Sequence, residues 1–216
     1  MLSDAAFDQH VESGAPLSLK NRRVHAASVD ILYTCPRRFA WPIEPAWQTF
    51  MYATGQVLLD KTGEVKRAVQ ALSTMPEDKA RGDVAGWFDA YVNASYRSVK
   101  AWRRGDELAG RLCAADAVQH VVRLLFTLER RWPPYPDYFQ VLIPTLPDAD
   151  WSPGYLMNSL RELARTGSPA RQQELEARIE TVLRQRGFSD VVDDVLARWG
   201  EEVQIMRSSS SAGRNS

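Results

Sequence analysis

The sequence predicts an α+β fold that is mostly α: two short N-terminal strands followed by a bundle of about six helices. Three observations carry this. Strand-like apolar runs are confined to the first 60 residues, at 24–33 and 56–60. From Gly63 onward apolar residues recur at the 3–4 spacing of a helix face. In the last third one start signal repeats: Ser152-Pro153 and Ser168-Pro169 each place a capping hydroxyl before a proline at the first helical position.

The first 23 residues are polar, carry Gly14 and Pro16, and read as a loose lead-in. Val24–Tyr33 reads as a strand bounded by Cys35-Pro36. Residues 36–55 hold three prolines and two tryptophans, the composition of a connection with a short helix near Ala46–Tyr52. The second strand, 56–60, is closed by Lys61-Thr62-Gly63. Val65, Val69 and Leu72 then share a helical face, and Met75-Pro76 ends that helix. A helix over 84–104 stops at Gly105, and Asp106 caps the next, over 106–131. The expected buried stripe of that long helix is Leu108, Leu112, Ala115, Val118, Val122 and Leu125, with Pro133-Pro134 behind it. Helices at about 153–166 and 169–186 close on Gly167 and Gly187, and Ser189 opens a last short helix before Gly200. This gives a front region 1–75, a helical domain 84–206 and a polar, disordered tail 207–216. Two strands are too few for a stable sheet. The sheet is expected to be covered by helices or completed by a protein partner.

Composition bounds the function. The chain has 216 residues and a mass of 24.4 kDa, room for one large domain or two small ones. It is 44% hydrophobic, enough to bury a core. Lys plus Arg (27) balances Asp plus Glu (27), which argues against a bulk binder of nucleic acid or of an anionic membrane. No apolar run approaches the ~20 residues that cross a bilayer. The N-terminus lacks the basic and apolar regions of a signal peptide. Two distant cysteines make neither a disulfide scaffold nor a cysteine zinc site, so a reduced, cytoplasmic protein is expected.

Few residues carry chemistry on their face. Asp30 lies between Val29 and Ile31, so strand alternation sends it to the face opposite theirs. An acid there reaches water, pairs with an arginine, or holds a metal. Lys100, Arg103 and Arg104 share one helical face at a helix C-terminus, where the macrodipole alone favours cations. The same group also suits a phosphate. Asp116, Glu129 and His120 read as ordinary helical positions, and Cys113 as a core residue. Trp132–Pro136 is a stiff aromatic turn, either packed or walling a pocket. The pair of helices around Gly187 has the outline of a helix-turn-helix, but Asp190, Asp193 and Asp194 make its second helix acidic where a DNA reader is basic. No P-loop, GxGxxG, HExxH or GxSxG motif is present.

Two stretches add a resemblance. VLLDKTGEVKRAV (57–69) resembles the strand–turn–helix segment after the catalytic strands of bacterial nucleotidyltransferases with a polymerase-beta-like core, the aminoglycoside type included. YRSVKAWRRGDELAGRLCAADAVQHVVRLLFTLERRWPPYPDYF (96–139) is similar to the helical second half of the same proteins. With HAASVDIL the resemblance covers about residues 24–145. It implies that 1–75 is the remnant of a nucleotidyltransferase core and that the helical domain binds substrate.

In that superfamily three carboxylates hold Mg²⁺ for transfer of a nucleotide from a nucleoside triphosphate to an acceptor hydroxyl. Asp30 matches the third, as metal ligand or base. Nothing in residues 1–29 matches the Gly-Ser loop and Asp-x-Asp pair that supply the other two, so this chain alone is expected to be a poor or inactive catalyst. A mis-started, split or inactive member of the superfamily would each look like this. Asp137 also departs, standing where related proteins carry a basic residue. The resemblance implies that Lys100, with Arg103 and Arg104, faces the triphosphate. Tyr91, Trp102 and Tyr135 would line the pocket of a small-molecule acceptor. The alternative is a non-enzymatic helical protein that binds a partner or regulates.

Overall fold

The computed structural model describes residues 2, 4–16, 18–24, 27–32, 35, 46–147, 151 and 154–208. The chain is mostly helical. It divides into two compact units, Met1–Thr74 and Met75–Ser216.

The first unit opens on a helix absent from the sequence expectation, α1 (Asp4–Glu12), whose Phe7 is buried. The loose lead-in is corrected accordingly. Strands β1 (Ser18–Val24) and β2 (Ala27–Leu32) pair antiparallel, Ser18 opposite Leu32 and Val24 opposite Ala27, with an irregularity between Leu19 and Arg22. The span expected as one strand, 24–33, therefore holds the end of β1 and all of β2. Helix α2 (Ala46–Ala53) follows, then α3 (Glu64–Ala71).

Residues 56–60 form no strand. Leu58 and Leu59 are 85% and 76% exposed, one after the other, so the alternation that would bury one strand face is missing. The segment ends instead in a side-chain turn. Asp60 Oδ1 accepts from Gly63 N at 2.9 Å and Oδ2 from Lys66 N at 2.8 Å. These bonds hold the Asp60 carboxyl below its ordinary value, through Lys66 N–H first. They also steer the chain through Gly63, at φ 75°, into α3.

The second unit is built on a long hairpin. Helix α4 (Glu77–Arg103) begins directly after Pro76, seven residues before the expected start, with Glu77 and Asp78 complementing the dipole of its first turn. Gly105, at φ 75°, reverses the chain. Asp106 Oδ1 accepts from Ala109 N at 3.0 Å and starts α5 (Glu107–Leu128). Arg130 is left-handed at φ 53°, and its N–H donates to Thr127 O to end the helix.

One short turn (Pro136–Tyr138) leads into α6 (Phe139–Leu142) and another (Ile143–Thr145) follows it, then come α7 (Tyr155–Thr166), α8 (Pro169–Gln185) and α9 (Ser189–Arg207). Ser168 Oγ caps α8 by accepting from Arg171 N. The matching signal at Ser152-Pro153 lies outside the described residues, as do residues 209–216 of the expected tail 207–216, whose first residue, Arg207, is instead the last of α9. Helix α9 breaks at Gly200, whose φ of 42° and ψ of −113° suit only glycine, and resumes to Arg207. Each helix gives one face to a single core that holds Phe88 and Val92 of α4, Val121 and Leu124 of α5, Leu163 of α7, Ile179 of α8 and Val195 of α9.

The buried face of α5 includes Val122 and Leu125 of the expected stripe but departs from it at the start of the helix. Gly110, Ala114, Ala117, Val121 and Leu124 face inward, while Leu108 and Leu112 are 71% and 63% exposed. The reason is the close approach of α4. The position of a Cβ on Gly110 lies 2.6 Å from Trp102 Nε1, so only the smallest residue fits there. Among the described residues no helix is long and apolar enough to cross a membrane.

Candidate functional site, a cationic groove on helix α4

Helical spacing places Asn93, Arg97, Lys100 and Arg104 along one outward stripe of α4, with Tyr96 beside it. Ala109 and Cys113 of α5 flank the stripe, and Trp199, the last residue before the break in α9, completes a groove of about 440 Å³. The indole of Trp199 is fixed by Nε1 donating to Asp89 Oδ1 at 2.9 Å, and its ring meets Tyr96 with centroids 6.1 Å apart at 52°. Lys100 Nζ lies 5.3 Å from the Tyr96 ring centre and donates to Tyr96 Oη at 3.2 Å. Arg97 Nε donates to Asn93 Oδ1 at 3.0 Å.

None of Arg97, Lys100 and Arg104 pairs with a carboxylate among the described residues. Most other arginines of this unit do, Arg81 with Asp190 and Arg184 with Asp193 among them. In a chain of zero formal charge, three cations without carboxylate partners in one groove make a local positive patch. Their guanidinium and ammonium donors suit phosphate or carboxylate oxygens. Tyr96 and Trp199 add a flat apolar wall.

Of the residues expected to carry function, Lys100 and Arg104 meet in this groove. Arg103 does not share their face. Its Nη2 donates to Ile205 O at 2.8 Å and to Ser208 O and Oγ at 3.0 and 2.6 Å, closing the end of α9. Trp102 packs against Gly110 and Gly167 as a spacer between helices. Tyr91 is 1% exposed in the core, and its phenol is pushed well above the ordinary value by burial first and Glu176 second. Tyr135 sits 42% exposed at the turn after α5 and does not line the groove. Cys113, expected in the core, is half-buried on the groove wall. Asp30 lies on β2, and its side chain lies outside the described residues.

Sequence reasoning missed Arg97, Asn93, Tyr96 and Trp199. The stripe 97–100–104 was there to be read, as i, i+3, i+7. Trp199 reaches the groove from about a hundred residues away and has no local signal. His120, beside α4, pairs its Nε2 with Asp116 Oδ2 at 3.4 Å and stacks on Trp87 at 6.0 Å. Burial lowers its pKa, so it is neutral near pH 7.

The fit of Mg²⁺ can be judged from the donors. Magnesium takes oxygen ligands, usually one or two carboxylates with phosphates and water. The groove offers cations, an amide already engaged by Arg97, a phenol and a thiol, which do not fit. Among the described residues no group of three or more His, Cys, Asp or Glu side chains could hold a metal ion.

Residues 41–139 match a family model described as a domain of unknown function (DUF4037). The match takes in α4 and α5, hence every groove residue except Trp199. No match to a curated protein or to a solved structure was found.

Proposed function

We propose that the helical unit is a nucleotide-binding module of nucleotidyltransferase type, with the α4 groove receiving the phosphate chain of a nucleoside triphosphate. The observation that carries this reading is the set of three cations without carboxylate partners, Arg97, Lys100 and Arg104, in one groove beside Tyr96 and Trp199. The similarity of 96–139 to the helical half of those enzymes agrees with it, because the groove cations fall in that stretch. Tyr96 and Trp199 then face the base or the small-molecule acceptor. A cytoplasmic setting suits a nucleoside triphosphate ligand.

A second reading is favoured by one observation. Leu58 and Leu59 are exposed in a segment that forms neither helix nor strand, and the sheet has two strands among the described residues, which suits docking of a protein partner by strand addition. Calorimetry of the full chain with ATP tests the first reading. Saturable binding is expected, weakened at least ~5-fold by Lys100→Ala or Arg104→Ala with the melting temperature unchanged. Binding that is absent, or indifferent to both substitutions, overturns it and leaves the partner-docking reading.

A further inference from the structure

The form in which the ligand arrives follows from what the groove lacks; this step rests on the groove reading above. None of the nine lining residues is Asp, Glu or His. The acids on neighbouring turns are engaged elsewhere. Asp89 accepts from Trp199 and lies 3.4 Å from Arg198, Asp106 caps α5, Glu107 pairs with Arg111, and Asp116 pairs with His120. A Mg²⁺ ion carried in on a phosphate chain would meet no anionic ligand here. It would also neutralise the charge that the cations read and sit against guanidinium groups of its own sign.

We infer that the groove takes the metal-free phosphate chain of a nucleotide and discriminates against its magnesium complex. The dimensions agree. Arg97 and Arg104 are seven residues apart on one helix, about 10 Å along its axis, with Lys100 between them. That is a ladder of cations along a chain of phosphates, not a point site for a single ion. The tilted Tyr96–Trp199 pair forms an apolar wall of the kind that stacks a base.

The test is calorimetry of the full chain with three ligands: ATP in EDTA, ATP in saturating Mg²⁺, and pyrophosphate in EDTA. ATP is expected to bind roughly tenfold more tightly without Mg²⁺, the effect of two lost charges on exposed cations. Arg104→Gln should shrink that ratio. Pyrophosphate should bind more weakly than metal-free ATP because it offers no base to Tyr96 and Trp199. Equal or tighter binding of the magnesium complex overturns the inference while leaving the groove as a nucleotide site. Equal affinity for pyrophosphate and metal-free ATP overturns the nucleotide assignment and leaves an inorganic phosphate chain as the ligand. No binding of any of the three overturns both this inference and the reading beneath it.

Discussion

Arg207 Nη2 lies 2.6 Å from Glu176 Oε1, so a carboxylate whose side chain is only 3% exposed is met by the last residue of α9. The same nitrogen also reaches Glu180 Oε2 at 2.5 Å. Burial pushes the Glu176 carboxyl above its ordinary value, and the hydrogen bond and charge of Arg207 pull it back. The Tyr91 hydroxyl, buried nearby, finds no hydrogen-bond partner among the described residues, so Arg207 is the main compensation for this charge.

Removing that compensation should be costly and pH-dependent. Arg207→Ala is expected to destabilise the chain by about 2–3 kcal/mol, below the range for fully buried pairs because Arg207 keeps 35% exposure. A carboxyl raised in the folded state contributes stability that is complete below its unfolded value, near 4.5, and is lost as pH rises through the folded value. Without Arg207 the folded value rises further. The deficit should therefore be largest at about pH 7 and shrink towards about pH 5. Urea unfolding of both proteins at the two pH values measures this, and a deficit that is constant or grows on acidification contradicts it.

Gly110→Ala should lower the melting temperature sharply. The added Cβ would come within 2.6 Å of Trp102 Nε1 and 2.7 Å of its Cδ1, inside a helix pair with no slack. Overpacking of this kind costs about 1–3 kcal/mol. Trp102→Leu in the same chain should recover part of the loss by vacating the contact. Thermal unfolding followed by circular dichroism reads the single and double variants, and no recovery in the double would place the strain elsewhere.

Arg103 and Arg104 are adjacent in sequence but serve different ends of the structure. Arg103→Ala should speed hydrogen exchange over 201–208 by releasing Ile205 O and Ser208 O, and leave ATP affinity unchanged. Arg104→Ala should do the reverse. Exchange mass spectrometry beside calorimetry separates the two. A common effect of both variants would mean that the pair acts as one cluster, as their helical proximity alone suggests.

Local signals were legible and tertiary ones were not. The Asp106 cap, the Ser168-Pro169 start and the glycine stops at 105, 167 and 187 could be read because each depends on a few adjacent residues. The α5 stripe was legible in its second half, where Val122 and Leu125 are buried, and not in its first. Large leucines at 108 and 112 imitate a core face, while the true face starts on Gly110 and Ala114, kept small by the nearness of α4. The apolar run 56–60 imitates a strand, but two exposed leucines and the Asp60 turn make it a connector. Lys100 and Arg104 were visible as a cluster. What turns them into a groove, Trp199 held by Asp89, depends on how α9 packs on α4.

The start of α4 and the end of α5 are stitched together. Met75 N donates to Arg130 O at 2.8 Å, and Arg130 Nε donates back to Met75 O at 2.9 Å. With the Gly105 turn at the far end, the two longest helices form a closed loop, both ends of which lie on one side of the boundary at Thr74. A cut between Thr74 and Met75 severs neither stitch. The groove-bearing unit is thus organised as a cassette that a gene fusion could carry onto another polypeptide with its cationic groove intact.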